Sequence, residues 1–165
     1  KSHHGTINVL SGGEGGAVFR ILLPESKAGE DFIPAGHETA ATNRGNILFV
    51  EDDEDQLQTT PRLLEEMGFN VTAVREAEAA LRLISTGLHH FDIMITDFDM
   101  PNMSGAELAA RLPAIEAILI SGREDARAAA LCVPSIKKVI IKPYHKNELL
   151  AAICEVLNSD NLKKN

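Results

Sequence analysis

The sequence predicts an α/β fold: a five-stranded parallel sheet, doubly wound with helices on both faces, preceded by a short N-terminal β-hairpin. Three observations carry this. Beyond Gly45, short apolar runs alternate with stretches whose apolar residues recur at helical spacing. Those runs are apolar at successive positions, as strands covered on both faces must be. Before Gly45, two β-rich runs flank a glycine-dense reversal, and the period changes.

In chain order, residues 5–9 and 17–23 are the two β-rich runs, separated by Ser11-Gly12-Gly13-Glu14-Gly15-Gly16. This reads as a hairpin with a longer loop, which on its own is marginal in water and needs a sheet to join. Residues 25–44 turn polar, with Gly29, Pro34, Gly36 and a Thr/Ala stretch, and read as a mobile linker. Asn46-Ile47-Leu48-Phe49-Val50 is the first strand of the sheet, and 71–74, 93–96, 117–120 and 139–141 are the other four. Ala77, Ala80, Leu81 and Ile84 share one helical face, and Leu149, Leu150, Ile153, Val156 and Leu157 form another near the C-terminus. Strand–helix alternation of this kind implies right-handed βαβ units, with ligands bound at the carboxyl ends of the strands.

The 165-residue chain has room for one ordinary domain and an appendage. Its net charge of −8 disfavours a nucleic-acid surface, which demands a basic footprint. No apolar run is long enough to cross a bilayer. Cys132 and Cys154 fit neither a disulfide framework nor a zinc spacing, and read as reduced thiols of a cytosolic protein. A start at Lys1, without methionine or secretory signal, points to a piece of a longer protein.

The informative residues are those at the strand ends. Glu51, Asp52 and Asp53 follow the first strand; Asp97-Phe98-Asp99-Met100-Pro101 follows the third. Ser121-Gly122 follows the fourth and Lys142-Pro143 the last. Singly, each has a bland explanation: an acid caps the next helix, a Ser-Gly pair makes a turn, a lysine is solvated. Together at one sheet edge they form a chemical set. A carboxylate is a nucleophile toward phosphorus, and the phosphoryl group brings about −1.5 to −2 charges that need cations nearby. Magnesium takes a few carboxylates and leaves places for water and phosphate, while a lysine and a hydroxyl supply charge and a hydrogen bond.

The motifs Ile-Leu-Phe-Val-Glu-Asp-Asp (47–53), Ile-Thr-Asp-Phe-Asp-Met-Pro-Asn-Met-Ser-Gly (95–105), Ile-Leu-Ile-Ser-Gly (118–122) and Ile-Ile-Lys-Pro-Tyr (140–144) resemble the receiver domains of two-component signalling systems. The resemblance spans residues 45–158 and implies a flavodoxin-like receiver. It makes Asp97 the phospho-acceptor, and Glu51 and Asp52 the acidic pair that holds Mg2+ with Asp97 and the backbone carbonyl of Asp99. Asp53 faces solvent. Ser121 becomes the switch hydroxyl, Lys142 the phosphate-binding lysine, and Lys142–Pro143 a cis bond. The family often carries an aromatic residue three positions before the lysine; Val139 stands there. Pro61 falls inside the expected first helix, which should kink or start late. The link 112–117 is short, and Pro134 precedes the last strand in place of a small residue.

Residues 2–7, the glycine loop and Phe19-Arg20-Ile21-Leu22-Leu23-Pro24 resemble the last hairpin of a histidine-kinase ATP-binding domain. This divides the chain into a kinase remnant (1–25), a linker (26–44), a receiver (45–158) and a tail (159–165), as in a hybrid sensor histidine kinase. The parent would be a kinase, free or membrane-anchored, with this segment cytoplasmic and making no membrane contact. The phosphoryl donor would be a histidine-kinase or histidine phosphotransfer domain, and the short tail leaves no nucleic-acid-binding output domain. His3, His4, His89 and His90 lie in no recognisable phospho-donor helix. Two other functions compete: a haloacid-dehalogenase-like phosphatase using Asp97 and Asp99, and a receiver-like module that binds partners without phosphorylation.

Overall fold

The structure, a computed structural model, describes residues 6–11, 17–22 and 44–161. It divides into two units, residues 1–40 and 41–165. In the first, β1 (Thr6–Ser11) and β2 (Ala17–Leu22) form an antiparallel hairpin in which Ile7 pairs with Ile21 and Val9 with Phe19. Val9 and Phe19, a cross-strand pair, are both exposed. The glycine reversal and the linker up to residue 43 lie outside the described residues.

In the second unit, β3 (Asn46–Val50), β4 (Asn70–Val74), β5 (Ile93–Asp97), β6 (Glu116–Ser121) and β7 (Ile136–Ile141) form a parallel sheet in the order β4-β3-β5-β6-β7. Helices α1 (Glu54–Glu66), α2 (Ala77–Ser85), α3 (Gly105–Arg111), α4 (Ala126–Leu131) and α5 (Lys146–Asn161) connect or follow the strands. Alternation along each strand feeds two cores. Ile47, Phe49, Ile95, Ile118 and Ile120 pack with Leu64 of α1 and Leu149 and Ile153 of α5. Leu48, Val50, Met94 and Leu119 pack on the other face with Ala80 of α2, Leu108 of α3 and Ala126 of α4. Full burial of each large aliphatic or aromatic side chain is worth roughly 1.5–3 kcal/mol, which is why the central strands read as unbroken apolar runs.

The chain moves from β3 outward to β4, then crosses to β5 on the other side of β3. The strand order therefore reverses between β3 and β5, and a crevice opens at their carboxyl ends. Glu51 and Asp97 flank that point.

Several expectations need adjusting. Asp97 and Ser121 are the last residues of β5 and β6 rather than the first after them. β7 begins three residues before the expected 139, because Lys137 and Lys138 interrupt the apolar run on a strand at the sheet edge. α1 does not start late: Asp53 caps it by accepting from the Gln56 N–H at 2.9 Å, and it runs through buried Pro61. Pro61 removes one backbone donor but occupies an interior position packed under the helix. α1 ends where Gly68 adopts φ +91°, letting Phe69 N–H reach the Leu64 carbonyl and Gly68 N–H the Glu65 carbonyl, a closure that favours glycine. α5 continues to Asn161, past the expected boundary at 158.

Candidate functional site

The carboxyl ends of β3, β5, β6 and β7 bring together most of the predicted residues. Glu51 and Asp97 are buried, 2% and 6% exposed, and Asp52 is half-buried. Lys142, just after β7, reaches inward so that Nζ lies 2.5 Å from Asp97 Oδ1 and 3.2 Å from Glu51 Oε2. Its backbone N–H donates to the Ser121 carbonyl at 2.7 Å, fixing the point from which the side chain departs. The Lys142–Pro143 bond is cis. Ligand oxygens of Glu51, Asp52 and Asp97 all lie within 4.8 Å of one another.

The electrostatics follow from this crowding. Burial pushes the Glu51 carboxyl above its usual range; Asp97 adds to the push and Lys142 opposes it. Burial alone would pull the Lys142 ammonium down, but Asp97 and Glu51 outweigh it and the net shift is upward. Three carboxylates against one ammonium leave the cluster negative. An all-oxygen donor set with this excess charge fits a hard divalent cation such as Mg2+.

The remaining predicted residues take different positions. Asp53 is exposed and serves as the α1 cap. Asp99 donates its backbone N–H to Asp97 Oδ2 at 2.6 Å, while its carboxylate turns outward to Arg123 Nη1 at 3.6 Å. Ser121 is fully buried and its Oγ accepts from the Arg123 N–H at 2.9 Å. Arg123 and Gly105 were not singled out from sequence. Arg123 is a cation two residues beyond the Ser121 strand end, a position that could have flagged it. Gly105 opens α3 directly against β5: a Cβ there would collide with the Asp97 carbonyl and lie 2.9 Å from both Leu119 Cδ1 and Thr96 Cγ2. Its presence lets the helix approach the acceptor strand, while Ser104 and Glu107 form a reciprocal cap.

A cleft of about 210 Å3 adjoins the acids, lined by Asp52, Arg75, Glu76, Met100, Pro101 and Asn102. A wider one of about 550 Å3, lined by Pro113, Glu116, Cys132 and Pro134 among others, lies toward the opposite end of β6 and β7, away from the acid cluster. Cavity size does not locate the chemistry here; convergence of charged groups does.

Comparison with known proteins agrees with this geometry. Residues 47–154 match the family model of the response regulator receiver domain. The two-component response regulator ARR10 of Arabidopsis thaliana is 30% identical over 123 residues, covering 72% of this chain and 22% of that protein. The sensor kinase CckA of Brucella abortus is 28% identical over 160 residues, covering 88% of this chain and 17% of that protein. The chain thus spans about a fifth of the length of these curated relatives. The crystal structure of the signal receiver domain of a signal transduction histidine kinase from Syntrophus aciditrophicus superposes with a TM-score of 0.61 at 30% identity, covering 70% of this chain and 91% of that one. The phosphatase and non-phosphorylated alternatives find no support in these comparisons, and the chain belongs to the response regulator receiver domain family of two-component phosphorelays.

Proposed function

We propose that Asp97 is the phospho-acceptor and that residues 45–158 form the receiver of a hybrid sensor histidine kinase. The observation that carries this is Lys142 Nζ in contact with both Asp97 and Glu51, at 2.5 and 3.2 Å, with Asp52 beside them. An Asp97 carboxylate oxygen attacks phosphorus of a phosphohistidine; the P–N bond breaks and its electron pair returns to the imidazole, which takes up a proton. Lys142 holds the nucleophile in place and offers its charge to the incoming phosphoryl oxygens. Ser121 donates its hydroxyl to a phosphoryl oxygen once the Arg123 loop lets it turn. Glu51, Asp52, Asp97 and the Asp99 carbonyl would hold Mg2+, which when bound supplies positive charge for the developing phosphoryl oxygens.

The hairpin at 1–25 is read as the end of a kinase ATP-binding domain, joined through 26–44 to the receiver. Similarity to a sensor kinase over 88% of the chain supports this. The donor is then a phosphohistidine on a kinase or a phosphotransfer domain, and the segment works in the cytoplasm. Among the described residues no helix is long and apolar enough to cross a membrane.

The test is intact-protein mass after incubation with a small acyl-phosphate donor and magnesium. One phosphoryl group is expected on the wild type and none on Asp97→Asn, whose amide cannot form the acyl phosphate. Lys142→Ala should label weakly. Asp99→Asn should still label, because only its backbone carbonyl is used. Rapid turnover of phosphomonoesters that is lost in Asp99→Asn would overturn the acceptor assignment.

A further inference from the structure

Two features that depart from the family pattern, the short link 112–117 and Pro134, play no part in the phosphoryl chemistry. They meet at the cavity of about 550 Å3 toward the far end of β6 and β7. Ala110 and Pro113 supply apolar wall from α3 and the link, and Val133 and Pro134 from the loop before β7. The volume falls in the range of small-molecule sites, roughly 300–1,000 Å3. The loop is anchored behind it: Ser135 Oγ donates to the Ala109 carbonyl at 3.0 Å, and the Ser135 carbonyl accepts from the Ala117 N–H at 2.8 Å. Two charges break the apolar lining. The β6–β7 register shifts between Ala117 and Ile118, which leaves Lys137 between the partnered residues Ile136 and Lys138. A bulge of this kind re-aims the extra side chain. Lys137 turns back to the cavity, where Nζ donates to the Pro134 carbonyl at 2.7 Å and lies 3.7 Å from Glu116 Oε1. An ammonium has three donors, and the Pro134 carbonyl takes one of them. The contact with Glu116 is longer than a good hydrogen bond. Opposite charges set side by side complement a ligand that carries the same two charges in reverse order. In an α-amino acid the N–Cα–C–O geometry holds the ammonium and a carboxylate oxygen on the order of 3 Å apart. Set against the 3.7 Å between Lys137 Nζ and Glu116 Oε1, these groups close a ring of four charges of alternating sign.

We propose that this cavity binds a free α-amino acid with an apolar side chain. The ligand carboxylate meets Lys137, its ammonium meets Glu116, and its side chain lies against Pro113, Val133 and Pro134. Both charges are needed, because each ligand group that enters the cavity gives up water and is repaid only by its own partner. Binding joins the link after α3 to the loop before β7 and makes or breaks no covalent bond. The site is independent of Asp97, which sits at the other end of the strands.

The experiment follows the melting temperature of the full chain with L-leucine as the probe, and reads its affinity by titration calorimetry. At tenfold over its Kd, L-leucine should raise the melting temperature by roughly 5 °C. ε-Aminocaproate, an isomer with its charges at opposite ends, should give no shift. Neither should L-leucinamide, which lacks the carboxylate, nor isocaproate, which lacks the ammonium. Lys137→Gln, at an exposed position, should weaken leucine binding on the order of tenfold. Lys137→Arg should recover part of the loss. Ala110→Leu, which fills apolar space in the cavity and touches neither charge, should also weaken it. Labelling of Asp97 should be the same in all three variants as in the wild type. No shift with L-leucine, L-norleucine or L-phenylalanine up to their solubility limits overturns the proposal. So does an equal shift with ε-aminocaproate, which marks a general solute effect, and so does undiminished leucine binding in Lys137→Gln. Each of these leaves the acceptor role of Asp97 standing, since the labelling experiment decides that separately.

Discussion

Replacing Glu51 with Gln in the magnesium-free chain should make the protein more stable, although it deletes one partner of a buried ion pair. Lys142 Nζ at 3.2 Å attracts the Glu51 carboxylate by roughly 5 kcal/mol at an effective dielectric near 20. The oxygens of Asp52 and Asp97, each within 4.8 Å, repel it by at least ~3.5 kcal/mol apiece on the same scale, about 7 kcal/mol together. Repulsion exceeds attraction by about 2 kcal/mol before the desolvation of a carboxylate only 2% exposed is added. Gln keeps the shape and a hydrogen-bonding oxygen, and Lys142 retains Asp97. Thermal melts in chelator should show the variant stabilised by about 1–2 kcal/mol, or several degrees in Tm for a domain of this size. The pH dependence carries the same sign. The folded chain holds the Glu51 proton more tightly than the unfolded chain, so this group's contribution is fullest below pH 4.5 and is lost as pH rises through its raised folded value. That decline should be smaller in Glu51→Gln. A variant less stable than wild type in chelator at neutral pH would show that the Lys142 attraction dominates and would refute the reasoning.

Magnesium should stabilise the wild type; at a hundredfold excess over its Kd, one ion bound only to the native state adds ~2.7 kcal/mol. Asp52→Asn should raise the melting temperature without metal and shrink the magnesium increment, and an unchanged wild-type melt in saturating magnesium would contradict the carboxylate-site assignment. Gly105→Ala should destabilise by about 1–3 kcal/mol through overpacking against Leu119, Thr96 and the Asp97 carbonyl, read by denaturant titration. Val139 is half-buried on β7 and has no ring to swing inward, so chemical-shift changes on adding a phosphoryl mimic should stay in the loops after β5 and β6. Large shifts along β7 and α5 would contradict that.

The fold was legible because the central strands are buried on both faces, a state that only continuous apolar runs produce. β7 was legible only in its second half, since an edge strand tolerates Lys137 and Lys138, which pair with Glu116 and Glu155 instead of packing inward. Pro61 misled for a related reason. Local propensity argues against proline in a helix, but its ring, at an interior position, is buried against the domain. The acidic and basic residues of the pocket were legible through topology, because parallel strands deliver their carboxyl ends to one edge, whatever lies between them in sequence.

Side-chain direction beyond that edge was not legible. Asp97 and Asp99 are two residues apart, yet one faces Lys142 inside and the other Arg123 outside. The difference arises because β5 ends at Asp97 and the chain turns at once, with Phe98 N–H paired to the Ile120 carbonyl and Asp99 N–H spent on the Asp97 carboxylate. The backbone of Asp99 thus stays with the pocket while its side chain is expelled to the rim. That division separates the two uses of an Asp-x-Asp pair. A phosphatase needs the second carboxylate pointing inward as an acid or base; an acceptor needs only the backbone beside the nucleophile. The outward carboxylate of Asp99, paired across the mouth with Arg123, leaves it poorly placed for the first use. Retained labelling by Asp99→Asn is accordingly the measurement on which the two chemistries part.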